Sequence, residues 1–262
     1  MCGIAGYSLD PESDVERTLA AQALLAAIAE RGADAVGYAH RGAGREITVH
    51  KQRTGASALL EAVDVPSATT EVLVHVRDYT KGHPRIEANN HPIRHGAVVG
   101  IHNGMIVNDE EIFSEYGFGR AAPDMTVDSE AIFALVDHAP DRGEVLEGLC
   151  GSMATAWLDL RRRDVLFLAR GSGRPLWLGS SSGETFFAST RLALEVVEDY
   201  TGLTLHKREL DEGTFVALRR GRELWRQSFE PDRDYVETPL PSVRAPHEGA
   251  FCLQRLAALR AA

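Results

Sequence analysis

The chain opens Met-Cys-Gly, and a cysteine directly behind the initiator can do chemistry that a cysteine elsewhere cannot. Aminopeptidases remove a starting Met when the next side chain is small. The expected mature chain therefore begins at Cys2, with a thiol and a free α-amine on one residue. An α-amine titrates at about 7.7–8.0 in model peptides, against about 10.4 for a lysine, so it has a usable neutral fraction at physiological pH. A base positioned this way is worth roughly 10²–10⁴-fold in rate. Read by position alone, Cys2 is more simply a small apolar residue at the head of a buried strand.

A second concentration of reactive side chains lies in VHVRDYTKGHPRIEANNHPIRHGAVVGIHNGMIVNDEE, residues 74–111. Arg77, Thr80, Asn89, Asn90, His91, Asn103 and Gly104 fall there near expected strand ends or turns, where loops carry chemistry. The Asn103 amide and the Gly104 backbone N–H are donors of the kind that hold an oxyanion, and losing one such donor commonly costs about 3–4 kcal/mol of transition-state stabilisation. Asn-Gly on its own is more often a hairpin turn. Five histidines, His75, His83, His91, His95 and His102, invite a zinc reading. Pro92 and Gly96 spoil a helix across His91 and His95, and no acidic partner stands at ligand spacing, so neither a metal nor another cofactor is expected.

These groups must be positioned by strands and a few helices. CGIAGY reads as a short strand, and SDVERTLAAQALLAAIAERG as a helix with Ser13 and Glu16 spaced as a capping box and Gly32 as a stop. Strand-like runs follow at AVGYAH, EITVHK, EVLVHV and AVVGIH, then a helix in DSEAIFALVDHA, where Ile132, Leu135 and Val136 share a face. SMATAWLDL, DVLFLAR, PLWLG, ETFFAS and TFVALRR read as further strands at hairpin-like spacing, with a third helix at RLALEVVED. Runs of strands with few helices predict an α+β arrangement of antiparallel sheets covered by helices. From about Asp232 periodicity fades. Residues 232–262 are expected to form a C-terminal tail or linker, whose end forms a helical turn or two, behind a domain over residues 1–231.

A chain of 262 residues with 44% hydrophobic content can bury a substantial core. Lys+Arg 28 against Asp+Glu 38 gives a net charge of −10, which disfavours nucleic acid and anionic membranes as partners. No stretch approaches the roughly 18 apolar residues of a membrane span. The start also lacks the basic and apolar regions of a signal peptide, so a cytoplasmic location is expected. Cys2, Cys150 and Cys252 form no C-x-x-C pair, and an odd count argues against a disulfide framework.

Taken in order, CGIAGY, RGADAVG, VRDYTKG, NNHPI, HNGMIVN and DSEAI resemble the motif series of the class II glutamine amidotransferases, whose glutaminase domains are N-terminal-nucleophile hydrolases. RGADAVG is similar to the family's R-G-x-D-S-x-G and VRDYTKG to its R-x-x-T-x-G. The resemblance covers roughly residues 2–220. Within the family the chain looks most like the glutaminase half of the glucosamine-6-phosphate synthases, because its later strands are similar too. The resemblance implies a four-layer αββα sandwich of two mainly antiparallel sheets. It also implies hydrolysis of L-glutamine through a Cys2 thioester, with the ammonia passed to a synthase domain or partner subunit.

Free glutamine carries a carboxylate and an ammonium, so a site for it needs one fixed cation and one fixed anion. Arg77 is suited to grip the carboxylate and Asp128 to hold the ammonium, beside the plainer readings of a surface arginine and a helix N-cap. By resemblance Arg31 anchors the mature N-terminus, Thr80 helps line the glutamine pocket and His91 with Pro92 shapes its wall. Asp78-Tyr79 stand where the family commonly has an aromatic or apolar start to a mobile lid, and Lys81 and Ala35 depart as well. A stand-alone hydrolase of another γ-glutamyl amide and a non-catalytic glutamine-sensing module are the alternatives.

Overall fold

The computed structural model describes residues 2–42, 44, 46–236 and 245–261. Met1, on which processing turns, lies outside them, as do residues 237–244 of the expected linker. Among the described residues thirteen strands form two sheets. The first contains β1 (Gly3–Leu9), β2 (Ala35–Arg41), β3 (Ile47–Gln52), β4 (Glu71–Arg77), β9 (Trp177–Ser180), β10 (Glu184–Ala188) and β11 (His206–Glu209), in the order β11-β9-β10-β1-β4-β2-β3. The second contains β5 (Ile93–His95), β6 (Val98–Ile106), β7 (Gly151–Asp159), β8 (Val165–Arg170), β12 (Thr214–Arg219) and β13 (Arg222–Ser228), in the order β13-β12-β8-β7-β6-β5. Every pairing between these strands is antiparallel.

Strand alternation explains the layering. In β1, Ala5, Tyr7 and Leu9 point to one face and pack with helices, while Ile4 points to the other and meets Val99, Ile101 and Leu168 of the second sheet. Helices α1 (Arg17–Ile28), α4 (Arg191–Thr201) and α5 (Pro246–Ala261) cover the first sheet; α2 (Asp109–Tyr116) and α3 (Glu130–His138) cover the second. The expected four-layer αββα sandwich is the observed fold.

Local details differ from the sequence reading. The Ser13–Glu16 capping box does not form: α1 starts at Arg17, and the Glu16 carboxylate caps it by accepting from the Thr18 and Leu19 N–H groups. Ser13 instead sits in a loop gathered around the buried Arg17 guanidinium, which donates to the Ser13, Val15 and Thr69 carbonyls. Asn103 and Gly104 are not a turn but the interior of β6, opposite Ala154 and Met153 of β7. The last residues form more than a turn or two. Helix α5 runs 16 residues, buries Cys252 and Leu256 against the α1 layer, and is tied to the Ser57 backbone by Glu248 and Arg255. Asp232, at the expected boundary, accepts from the Gly151 N–H at 3.0 Å.

Candidate active site

Cys2 precedes β1, the central strand of its sheet, and β4 pairs along β1 so that Gly3 lies opposite Val76. This register brings the end of β4, Arg77, and the loop after it to the thiol. Cys2 Sγ donates to the Asp78 carbonyl at 3.4 Å, and Arg31 Nε donates to the Cys2 carbonyl at 2.9 Å. Gly32 is required beside Arg31, because a Cβ there would collide with the Arg77 carbonyl and the Asp78 nitrogen. Asp34 fastens the same loop twice: its N–H donates to Arg77 O at 3.0 Å, and its carboxylate accepts from Tyr79 N at 2.9 Å.

The opposite wall comes from the second sheet. Gly104 holds φ +149, a conformation L side chains rarely adopt, and a Cβ there would run into the Ser152 carbonyl. The neighbouring Asn103 is 1% exposed, and its amide Nδ2 has no hydrogen-bond partner among the described residues. A buried, unpaired donor costs free energy unless something outside the fold uses it, and a transient oxyanion is such an acceptor.

Cys2, Arg77, Thr80, His91, Gly104 and Asp128 surround one tight pocket of about 10 Å³. Of the eight residues singled out from the sequence, these six line it; Arg31 supports Cys2 from behind, and Asn103 lies next to Gly104 without lining the pocket. Lys81, His102, Val127 and Ser129 also line it and were not singled out as site residues. Nor were Asn89 and Asn90 assigned roles. Asn89 Oδ1 accepts from the Thr126 and Val127 N–H groups, placing the segment that carries Asp128, and Asn90 ties Arg77 to the Pro84 carbonyl. The paired amides of NNHPI were the available signal, because such side chains bond irregular backbone that ladders cannot serve.

The electrostatics are set by burial. It raises the Cys2 thiol above its ordinary value, opposed by the Arg77 charge. It raises Asp128 to about 6, against the hydrogen bond its carboxylate accepts from Ile106 N at 2.7 Å. His75 and His102 are lowered to about 3 by burial, and His91 falls well below its usual range for the same reason, so all three are neutral at working pH. His91 stacks on His75 with ring centroids 4.2 Å apart. Because a carbonyl only accepts, the His75 Nε2 contacting His102 O at 3.1 Å carries the proton.

Arg77 itself is engaged. Its Nη1 donates to Asn90 Oδ1 at 2.6 Å and its Nη2 to the carbonyls of Lys81, at 2.8 Å, and Gly82. Both bidentate modes of gripping a carboxylate use Nη2, so a bound carboxylate must displace a loop carbonyl. The loop is also held by an ion pair of Lys81 Nζ with Asp109 at 2.6 Å. Among the described residues no group of three or more His, Cys, Asp or Glu gathers as a metal ion would need, and no helix is long and apolar enough to cross a membrane.

Residues 80–196 match a family described as a glutamine amidotransferase domain. The chain is 34% identical, over 92% of its length, to the isomerizing glutamine-fructose-6-phosphate aminotransferase of Caulobacter vibrioides. It is also 34% identical, over 95% of its length, to the enzyme of that name from Pseudomonas putida. It spans only 38% and 40% of those two proteins. Among solved structures, the glutamine phosphoribosylpyrophosphate amidotransferase from B. subtilis aligns over 87% of this chain and 49% of its own, with TM-score 0.66 and 18% identity. A structure titled as the allosteric regulatory enzyme of purine biosynthesis aligns over the same shares, with TM-score 0.67 and 19% identity. These likenesses are of fold.

Proposed function

The chain belongs to the class II glutamine amidotransferases, and from that premise we propose that it hydrolyses L-glutamine to glutamate and ammonia through a thioester on Cys2. The observation that carries the reading is the meeting of Cys2, Arg77, Gly104 and Asp128 around one pocket, with the idle amide of Asn103 beside it.

In the mature chain the Cys2 α-amine takes the thiol proton, and Sγ attacks the side-chain amide carbon of glutamine. Asn103 Nδ2 and the Gly104 N–H hold the oxyanion. The α-ammonium returns its proton to the departing nitrogen, ammonia leaves, and a thioester remains. Water, deprotonated by the same amine, then releases glutamate. Arg77 holds the substrate carboxylate and Asp128 its ammonium, while Arg31, by holding the Cys2 carbonyl, keeps nucleophile and base in register. Thr80 closes the rim and the neutral His91 shapes the wall.

Ammonia is the useful product, so an acceptor in a synthase domain or a separate subunit completes the reaction. The relatives' names pair glutamine with fructose 6-phosphate, which supports an acceptor of sugar-phosphate chemistry. The test combines the mass of the purified mature chain with ammonia release from L-glutamine. Loss of Met1 and activity that Cys2→Ala abolishes are expected, with Cys150→Ala and Cys252→Ala active. Full activity in Cys2→Ala would end the thioester mechanism.

A further inference from the structure

A cleft of about 540 Å³, larger than the glutamine pocket, opens where the edges of the two sheets meet. Lys51 comes to it from β3, an edge strand of one sheet, and Arg94 from β5, an edge strand of the other. Ala88, Ala122 and Met125 add apolar lining, and Glu87 lines it as well.

Among the described lining residues the two cations face one carboxylate, that of Glu87. Among the described residues neither forms an ion pair within 4.0 Å; Lys51 Nζ donates to the Asn90 carbonyl at 3.1 Å, and Arg94 Nη2 to the Ile47 carbonyl at 2.9 Å. Burial lowers the Lys51 pKa, opposed only in part by the Glu87 charge, so its charged form lacks full compensation as the cleft stands. An anion seated between them would supply it. The net charge of −10 repels extended polyanions. A small ligand instead responds to charges within about 8 Å, the screening length at physiological salt. Two cations match one dianion, with the Arg fork and the Lys point charge both suited to phosphate oxygens.

We propose that this cleft binds a small hydroxylated phosphate monoester, with Lys51 and Arg94 on the phosphate and Glu87 accepting from a hydroxyl. The site is wired to the glutamine pocket, because the residue whose carbonyl meets Lys51 is Asn90, whose side chain holds Arg77. Occupancy therefore changes the affinity for glutamine. The phosphate site stands independently of the proposed hydrolysis; only the coupling rests on it.

Calorimetric titration of the purified chain with glycerol 3-phosphate and with inorganic phosphate, at ionic strength held constant with KCl, tests the site. Saturable binding of both is expected, weakened at least tenfold by Lys51→Met and by Arg94→Met, while Glu87→Gln weakens only glycerol 3-phosphate. Arg94 is exposed, so Arg94→Met carries the test if Lys51→Met folds poorly. Heats no larger than those of KCl, or binding that both variants leave intact, overturn the site. For the coupling, saturating glycerol 3-phosphate should change the KM for glutamine in the parent and leave it unchanged in Arg94→Met. A KM that does not respond refutes the Asn90 route and leaves the binding result standing.

Discussion

Arg77 donates to Asn90 Oδ1 at 2.6 Å, while its Nη2 is occupied by the carbonyls of Lys81 and Gly82. The cation suited to the substrate carboxylate is thus engaged by its own loop. On the proposed assignment of Arg77, glutamine competes with that loop, and whatever holds the loop down sets the terms of the competition.

A tie on the loop that does not involve Arg77 is the ion pair of Lys81 with Asp109. Removing it in Lys81→Met should lower the KM for glutamine by roughly 1.5- to 5-fold, the range that about 0.2–1 kcal/mol for a partly exposed pair corresponds to. Turnover should change little. Asp109 keeps Arg120 at 3.1 Å, so no buried carboxylate is stranded. Added salt should lower the parent's KM toward that of the variant and leave the variant's unmoved. A higher KM in Lys81→Met would instead mean that the pair holds the loop in its working position.

Asn103 separates catalysis from stability. Its Nδ2 makes no hydrogen bond to any described residue, so Asn103→Ala should shift the thermal midpoint little, yet lower kcat roughly 10²–10³-fold. KM should stay within the parent's range. A stability loss with turnover intact would assign the residue to packing.

Asp128 gives the pH dependence. Its carboxyl is raised to about 6, and in the role proposed for it only the ionised form would pair with the substrate ammonium. Accordingly 1/KM for glutamine should rise with pH through about 6 and then level, and Asp128→Asn should abolish that rise while weakening binding. A separate rise in kcat near pH 8 is expected from the α-amine, at about 7.7–8.0. The unliganded fold runs the other way: the stability contributed by neutral Asp128 is present at low pH and is lost as pH climbs through about 6. A pH-independent KM between 5 and 7, on the order of one unit either side of that value, would remove Asp128 from the ammonium role.

Helix α5 should prove integral to the hydrolase layer, since Leu256 is fully buried with the α1 residues. Leu256→Ala is expected to destabilise by roughly 2–5 kcal/mol in urea unfolding. A change near zero would show that the helix is dispensable, with any role confined to a partner.

The sequence by itself determined the chemistry on offer and the layers that carry it. A cysteine behind the initiator, Asn103 followed by Gly104, Arg77 and Asp128 are readable as types and spacings, and period-two strands with few helices imply stacked antiparallel sheets. Those signals are local: a residue's own character, or a pattern over a few neighbours. Tertiary structure decided what needs two distant segments at once. That Asn103-Gly104 is strand and not turn follows from its pairing with β7, some fifty residues on. The buried end of the chain follows from the shape of the α1 surface, against which an irregular-looking segment found an apolar face to cover. The free energy of each of these contacts belongs to a pair, and no single stretch of sequence contains both members.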